Sequence, residues 1–281
     1  AWVMAMVLNW LLIIFSKMCD SYSKRLDFWE GRSQLGFTAG SGDMNLKKLE
    51  INAIRKSLGN PATVLDAGCG NGFTLATLAK SLSTCRFCGF DYSQGMVDAA
   101  NELMKERGLG NVVQICRASL LDELPVSLTS LDIPEAGFDC IYSERSVINL
   151  DTFEQQSQAV RALWNLLAPG GNLVLCESFQ DGLTEINTYR VSAGLPQISA
   201  PWHNRYLSLN ELKDLLPDAN HAPKIVEFSG TYYFVSRVIH AKEAMLKGEE
   251  PSYEASINIQ SLELPSLRMF GQSKIIVYTK T

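Results

Sequence analysis

The stretch that decides the fold is VLDAGCGNG at residues 64–72, in which three glycines stand at alternate positions behind an apolar run and an aspartate. A glycine lacks a Cβ atom, so its backbone can take positive φ angles and can approach a bound ligand closely. The run at 63–65 predicts a short buried strand, and the apolar spacing of 73–82 predicts the helix that follows it. A strand, a glycine-rich turn and a helix together form a cradle of the kind that binds nucleotides.

The spacing of the glycines differs from the dinucleotide-binding fingerprint. That fingerprint places its third glycine three positions after its second, where it eases packing between the helix and the strand. Here Gly72 follows Gly70 by two positions, and Asp66 precedes Gly68 by two. The pattern therefore disfavours a dehydrogenase and indicates a different ligand.

A second strand is predicted at 85–90 and ends at Asp91. The offset from the glycine turn is close to the roughly 20 residues that precede a ribose-binding acid. Ser93 can cap the helix that follows, which would leave Asp91 available for ribose hydroxyls. The alternative is that Asp91 itself caps this helix.

Three further strands are predicted at 111–116, at 138–143 and after the Pro-Gly-Gly turn at 169–171. Strands that alternate with helices predict an open parallel sheet with right-handed crossovers. Ligands bind such sheets beyond the carboxyl ends of the strands. The polar residues predicted at these ends are Asp66, Asp91, Ser119, Ser143, Glu144, Arg145, Glu177 and Ser178.

The acid and glycines of 66–72, the run DYSQGM at 91–96 and the segment AVRALWNLLAPGGNLVLCES at 159–178 resemble motifs of the class I S-adenosylmethionine-dependent methyltransferases. The resemblance implies an α/β Rossmann-like fold, with a mostly parallel seven-stranded sheet flanked by helices and an insertion before the last strand. It also implies S-adenosylmethionine as the cofactor. The implied cofactor residues are Asp66, Gly68, Cys69, Gly70, Gly72, Asp91, Tyr92, Met96, Ser119, Ser143 and Glu144.

Within that resemblance, Asp66 would lie near the methionine end of the cofactor, Asp91 on the ribose and Met96 on the adenine. An ordinary core position is the alternative for Met96. The family commonly has an acid after the third strand that binds the adenine amino group, whereas this chain has Ala118 and Ser119. A backbone group and the Ser119 hydroxyl would have to replace that contact.

The carboxyl half is predicted to bind the methyl acceptor. A sulfonium methyl group is already activated, so the protein has chiefly to align a nucleophile and exclude water. For a hydroxyl nucleophile, His203 in the PWHN loop is the predicted general base and Glu177 the second candidate. The predicted acceptor contacts are Arg145, Asn149, Trp202, Asn204, Tyr206 and Tyr233.

The runs SERSVINL at 143–150, GLPQISAPWHNRYL at 194–207 and YYFVSR at 232–237 resemble a bacterial-type subgroup associated with carbohydrate or polysaccharide modification. This resemblance implies a hydroxyl of a sugar or a related metabolite as the acceptor. Two alternatives stay open, an N-methyltransferase that acts on a small amine and a catalytically degenerate module that only binds S-adenosylmethionine.

Composition narrows the class of protein. The 281 residues are 46% apolar, enough for a large core, and the net charge is −5 with lysines and arginines scattered along the chain. A scattered pattern disfavours a nucleic-acid partner, which would need a basic stripe. Seven cysteines, spread over predicted strands, are typical of reduced thiols in an intracellular protein. Cys85 and Cys88 have no second pair or nearby histidine, so no metal site is predicted.

The chain is divided into three predicted regions. Residues 1–17 form an apolar leader or anchor, whose uncharged run is close to the lower limit of about 17 residues for a membrane span. We favour the alternative that translation starts at Met18, so membrane contact is expected only if 1–17 is native, and the expected location is the cytoplasm. A helical and lid segment follows at 18–60, in which Trp29, Arg32 and residues 38–42 would close over the cofactor. The methyltransferase domain is predicted at 61–281, with acceptor-side elements at 180–215 and 230–271. The sequence does not indicate an oligomeric state.

Overall fold

The computed structural model describes residues 21–219 and 221–281, so the predicted leader at 1–17 lies outside the described residues. In this part of the chain, seven strands form one sheet in the order β3-β2-β1-β4-β5-β7-β6. The strands are β1 (Thr63–Ala67), β2 (Arg86–Asp91), β3 (Val113–Arg117), β4 (Phe138–Glu144), β5 (Leu167–Ser178), β6 (Lys224–Glu227) and β7 (Ser273–Thr279).

The sheet is mixed. Strands β1 to β5 pair in parallel, whereas β7 lies antiparallel between β5 and β6. The prediction of a mostly parallel seven-stranded sheet with an insertion before the last strand is confirmed, with the reversal confined to β7. The order changes direction at β1, so the carboxyl ends of β1 and β4 border a crevice in which open α/β sheets bind ligands.

Helices cover both faces of the sheet. They are α1 (21–32), α2 (Met44–Leu58), α3 (Phe73–Ser81), α4 (Gln94–Glu106), α5 (Leu124–Ser127), α6 (Phe153–Asn165), α7 (Gln180–Ser192), α8 (Leu212–Leu215), α9 (Gly230–Phe234), α10 (His240–Lys247) and α11 (Ser256–Gln260). Short 3₁₀ turns lie at Ser33–Thr38, Val147–Asn149, Leu209–Glu211 and Ser261–Glu263, and a π-helical segment joins α9 to α10 at Val235–Ile239.

Alternate residues of the central strands enter two cores. On one face, Leu65 and Ile141 pack with Leu163 of α6, and on the other, Val64 and Tyr142 pack with the apolar sides of α2 and α3. Because helices cover both faces, β1 is buried along its whole length and reads as an apolar run rather than as an alternating pattern.

Side-chain caps fix where several helices begin. Asp43 accepts from the Leu46 N–H at the start of α2, and Ser93 accepts from the Met96 N–H at the start of α4. Ser208 and Glu211 form a capping box, which opens a 3₁₀ turn before the short helix α8. Such caps satisfy backbone donors that the first turn leaves unpaired.

Helices α9, α10 and α11 form the insertion between β6 and β7. Tyr232 and Phe270 of this region pack with Leu46 of α2 and Ile186 of α7 in a third, smaller core. Among residues 21–219 and 221–281, no helix has both the length and the apolar character needed to cross a bilayer.

Candidate functional site

A cavity of about 1110 Å³, part of it open to solvent, lies at the carboxyl ends of β1, β2 and β4. We call it the first cavity. It brings together most of the predicted cofactor residues, which come from the ends of four strands, β1, β2, β3 and β4. The predicted cofactor residues that line it are Asp66, Gly68, Cys69, Gly70, Asp91, Tyr92, Met96, Ser119 and Glu144.

The glycine turn forms one wall of the first cavity. Gly68 and Gly70 have φ angles of +82° and +52°, which favour glycine. The carbonyl of Phe90 accepts hydrogen bonds from the N–H groups of Gly68 and Cys69, at 2.9 and 2.8 Å, and so holds the turn against β2. A Cβ atom at Gly70 would meet nothing within 4 Å, which leaves this backbone open to a ligand.

Gly72 and Ser143 do not line the cavity, and this corrects their prediction as cofactor contacts. Gly72 takes a left-handed conformation at the start of α3, and a Cβ atom there would lie 3.0 Å from Cβ of Ala100 on α4. Its role is therefore close packing between two helices. Ser143 is fully buried and donates a 2.6 Å hydrogen bond to Glu177.

Ser93, not Asp91, caps α4, and the Asp91 carboxylate lines the first cavity. This carboxylate accepts from the N–H of Gly70 at 2.9 Å and from the N–H of Ser93 at 3.0 Å. Burial raises the pKa of Asp91 to about 6. Each carboxylate oxygen can accept a second hydrogen bond, so Asp91 can both hold the turn and receive a donor from the cavity.

Two further acids that line the first cavity, Asp66 and Glu144, each have one unpaired oxygen. Tyr142 donates to Oδ2 of Asp66, and Lys47 and Thr74 donate to Oε2 of Glu144 at 2.7 and 2.6 Å. Oδ1 of Asp66 and Oε1 of Glu144 are buried without a partner. Burial raises the pKa of Asp66 to about 8, whereas Lys47 and Arg145 outweigh burial and lower the pKa of Glu144. The ionised Glu144 is therefore an acceptor without a donor on Oε1, which fits a ligand that carries a cationic nitrogen, whereas Asp66 accepts from such a nitrogen only once it has lost its proton.

Helix α1 and the segment after it cover the first cavity. Tyr22 and Trp29 line it together with residues 39–41. Glu30 accepts from the N–H groups of Gln94 and Gly95, at 2.7 and 2.9 Å, and thereby docks α1 on the start of α4. Arg32 instead lines a neighbouring cavity and donates to the carbonyl of Ala39.

That neighbouring cavity, which we call the second cavity, contains about 1530 Å³ of space that includes open solvent. It shares Trp29, Gly40, Ser41 and Arg145 with the first cavity. The predicted acceptor residues that line it are Arg145, Asn204, Tyr206 and Tyr233, and the predicted general base His203 lines it as well.

Two predicted acceptor residues lie elsewhere. Asn149 lines the first cavity and donates from its amide to the Arg145 carbonyl at 2.6 Å. Trp202 lines neither cavity. The residue is 51% exposed, and its ring packs edge-on against Phe28 with the Lys24 ammonium over its face. This placement corrects the prediction of Trp202 as an acceptor contact.

His203 faces an aromatic and cationic environment. Its ring centroid lies 4.5 Å from that of Phe28, and its Nδ1 atom is buried without a partner. Burial, together with Arg25 and Arg32, lowers the pKa of His203 to about 4. The imidazole is therefore neutral near pH 7, where it can accept a hydrogen bond but is a weak base.

Glu177 is not placed to act as a general base. It is fully buried, lines neither cavity and accepts from the Ser143 hydroxyl and from the N–H groups of Ser146 and Val147 at 3.3 and 3.1 Å. The carboxylate thus organises the loop that follows β4. This geometry corrects the prediction of Glu177 as a catalytic residue.

Arg145 lies where the two cavities meet. It is a non-glycine residue with a φ angle of +53°, a strained conformation that clusters at functional sites. Its Nε atom lies 3.5 Å from Oε2 of Glu50, which is fully buried. Glu50 and Glu144 raise the pKa of Arg145, so the guanidinium stays charged at the junction.

Sequence reasoning missed several cavity residues. Tyr22, Lys47 and Arg190 line one cavity or the other and carry no local motif, and Arg237, the last residue of the YYFVSR run, lines the second cavity although no role was predicted for it. In the part of the chain that the structure describes, no group of three or more histidine, cysteine, aspartate or glutamate side chains could hold a metal ion.

Comparison with known proteins adds the following relationships. Residues 64–171 match the family model described as a methyltransferase domain. The chain is 32% identical over 142 residues to an uncharacterized 37.1 kDa protein in transposon TN4556 of Streptomyces fradiae, covering 49% of this chain and 36% of that protein. It is 26% identical over 145 residues to a demethylmenaquinone methyltransferase of Bacteroides fragilis, covering 51% of this chain and 54% of that protein. The match therefore spans only about a third to a half of the length of these relatives.

Solved structures share the fold. The S-adenosylmethionine-dependent methyltransferase SibL in its apo form has a TM-score of 0.54 at 15% identity, covering 84% of this chain and 55% of that chain. The [4+2]-cyclase SpnF has a TM-score of 0.52 at 21% identity, covering 83% of this chain and 80% of that chain. At these identities the likeness shows the fold alone, and the cyclase illustrates that a fold does not fix a reaction.

Proposed function

We propose that the chain transfers a methyl group to a small-molecule acceptor, with residues 64–171 as a class I S-adenosylmethionine-dependent methyltransferase domain. The match of residues 64–171 to a methyltransferase domain, together with the shared fold, supports this class of domain and S-adenosylmethionine as its cofactor. The observation that carries the proposal is the pair of cavities that meet at Trp29, Gly40, Ser41 and Arg145. One cavity would hold the cofactor and the other the acceptor.

The polar groups of the first cavity fit this cofactor. Asp91 can accept from the ribose hydroxyls, and the unpaired oxygen of Glu144, together with that of Asp66 once it is ionised, can accept from the amino group of the methionine part. Ser119 and Met96 line the same cavity and are available to the adenine. The Ser119 hydroxyl already accepts from the Leu121 N–H at 3.2 Å, so it is oriented to donate to a base nitrogen.

When it is bound, the cofactor supplies an activated methyl group on a sulfonium. The protein then has to hold the acceptor in line with that group and to exclude water. Trp29, together with Gly40 and Ser41, covers the junction of the two cavities and so performs the second task. Neutral His203 can accept a hydrogen bond from an acceptor hydroxyl and so orient its oxygen as the nucleophile.

A sugar-like hydroxyl remains our proposed acceptor. Asn204, Gln272 and Tyr206 line the second cavity, and the Tyr206 hydroxyl accepts from Gln272 at 2.9 Å. Such groups can bind an oxygen-rich molecule through several hydrogen bonds.

The first test is calorimetric titration of the full chain with S-adenosylmethionine, S-adenosylhomocysteine and NAD. We expect the first two to bind and NAD not to bind. Asp91→Asn should weaken both by about tenfold or more, because hydrogen bonds to a charged group are lost. Asp98→Asn, which removes the same charge from α4 outside both cavities, should leave both affinities unchanged. Binding of NAD, or equal losses in the two variants, would contradict the proposal.

A further inference from the structure

The second cavity carries an excess of positive charge. Four arginines line it, namely Arg32, Arg145, Arg190 and Arg237, whereas Asp43 is the one acidic side chain among its described lining residues. The chain as a whole has a net charge of −5, so this excess is local.

Ion pairs already engage two of these arginines. Arg237 donates to Asp43 at 2.7 Å, and Arg145 lies beside Glu50 at 3.5 Å. Within the described residues, neither Arg32 nor Arg190 has a carboxylate within ion-pair distance. Two guanidinium groups of the cavity wall therefore lack a counter-charge.

Arg190 is the more constrained of the two. Its side chain is 8% exposed, and it donates to the backbone carbonyls of Pro196 and Arg237. Backbone carbonyls hold the guanidinium in place without neutralising it. Burial and the neighbouring Arg237 lower the pKa of Arg190, which is the response of a cation that has no counter-charge nearby.

The backbone beside Arg190 is also unusual. Arg237 lies in the π-helical segment Val235–Ile239, and such segments are rare and frequent at functional sites. Arg237 is itself surrounded by the rings of Tyr232, Tyr233 and Tyr253, with its Cζ atom 4.7–5.5 Å from their centroids. The irregular helix thus brings Arg237 and its backbone carbonyl against Arg190.

We propose that the acceptor carries an anionic group, a carboxylate or a phosphate, which Arg190 binds in the second cavity with Arg32 as an additional positive charge. Arginine matches the planar or tetrahedral oxygens of such groups, and burial strengthens the interaction. Phe28, Trp29, Tyr206 and Tyr233 line the rest of the cavity and provide faces for a ring-shaped body. The same charge disfavours a protonated amine in this cavity.

This inference rests on the proposed function, because it takes the molecule bound in the second cavity to be the methyl acceptor. Its test measures binding and does not require methyl transfer. The full chain is titrated, with and without saturating S-adenosylhomocysteine, with phenyl phosphate, benzoate and uncharged benzamide, and each dissociation constant is measured by ligand-observed NMR. We expect one or both anions to bind at least tenfold more tightly than benzamide. Preference between phenyl phosphate and benzoate identifies the group as phosphate or carboxylate.

Variants assign the binding to the cavity. Arg190→Gln should weaken anion binding by about tenfold or more and leave S-adenosylhomocysteine binding unchanged. Arg190→Lys keeps the positive charge and should retain part of the anion affinity. Arg268→Gln removes the same charge from an exposed position of the insertion and should change neither. Arg32→Gln should give a smaller loss and keeps the test decisive if Arg190→Gln does not fold.

The outcomes separate the two proposals. Equal binding of benzamide and the anions, or equal losses in Arg190→Gln and Arg268→Gln, would overturn the anionic acceptor. If Arg190→Gln does not fold, an unchanged anion affinity in Arg32→Gln would overturn it as well. Failure of S-adenosylhomocysteine to bind would overturn the proposed function alone, because the anion titrations without it are read independently.

Discussion

The two cavities differ in how the chain builds them and in the charge they present. The first is formed mainly by the ends of β1, β2, β3 and β4 and by the turn at 68–71, and its lining balances three carboxyl groups against Lys47 and Arg145. The second is assembled from α1, α7, the loop at 201–206 and the insertion before β7, and its wall is largely basic. The excess of positive charge in the second cavity alone suits an anionic acceptor, which would meet the cofactor at Arg145.

The largest expected effect is a loss of folding stability when one of two glycines in the turn of the first cavity is replaced by alanine. A Cβ atom at Gly68 would lie 1.9 Å from Oγ of Ser146, at a φ angle of +82°, whereas one at Gly70 would meet nothing within 4 Å. We expect Gly68→Ala to lower the free energy of unfolding by about 2–4 kcal/mol, and Gly70→Ala by about 1–2 kcal/mol. Urea denaturation measures both.

The order of the two substitutions should be reversed for ligand binding, where Gly70→Ala should have the more specific effect. Gly70→Ala places a methyl group where the bare backbone faces the first cavity. It should therefore weaken the binding of S-adenosylhomocysteine by more than the small loss of folding stability in this variant explains. Equal stability losses in the two variants would contradict the account of the turn.

The pH dependence of binding should separate the two cavities further. The pKa of Asp91 is about 6, and its ionised form is the better acceptor for ribose hydroxyls. Affinity for S-adenosylhomocysteine should therefore rise as pH increases through 6, by at most about tenfold per pH unit for one titrating group. Calorimetry at pH 5, 6 and 7 measures the slope, which Asp91→Asn should flatten.

The second cavity provides the contrast for that experiment. His203 has a pKa of about 4 and stays neutral from pH 5 to 7, so binding of a permanently charged anion there should change little over this range. A slope that Asp91→Asn leaves intact would show that another group, such as Asp66, controls the cofactor.

The smallest expected effect concerns the cover of the first cavity. Glu30→Gln removes the charge that accepts from the Gln94 and Gly95 N–H groups and should weaken the docking of α1 by about 1 kcal/mol. Limited proteolysis between residues 21 and 43 should then be faster, and S-adenosylhomocysteine should slow it. Glu102→Gln, on an exposed position of α4, is the control and should leave the rate unchanged.

The first cavity could largely be predicted from the sequence, whereas the second could not. Asp66, Gly70 and Asp91 belong to short motifs in which strand, turn and helix are contiguous, so local patterns predict the sheet and most of the first cavity. The corrections at Gly72, Ser143 and Glu177 have one physical cause. Each residue adjoins the site in sequence, but its contacts are to Ala100, to Glu177 and to backbone N–H groups of the loop after β4.

The second cavity depends on contacts between distant parts of the chain. The Arg190 guanidinium contacts the carbonyl of Arg237 across 47 positions, and Arg237 pairs with Asp43 across 194. No periodicity or spacing predicts such pairs. The loop and the residue type identify His203, but its low pKa depends first on burial and then on Arg25 and Arg32 of α1, which lies far from His203 in sequence.

A crystal structure of the full chain with S-adenosylhomocysteine bound tests most directly whether the first cavity holds the cofactor and the second the acceptor. We expect the ribose hydroxyls on Asp91, the amino group near Asp66 and Glu144, and the sulfur directed toward Arg145 and the second cavity. Density for the ligand in the second cavity, or a sulfur directed away from Arg145, would contradict the assignment of one cavity to the cofactor and the other to the acceptor.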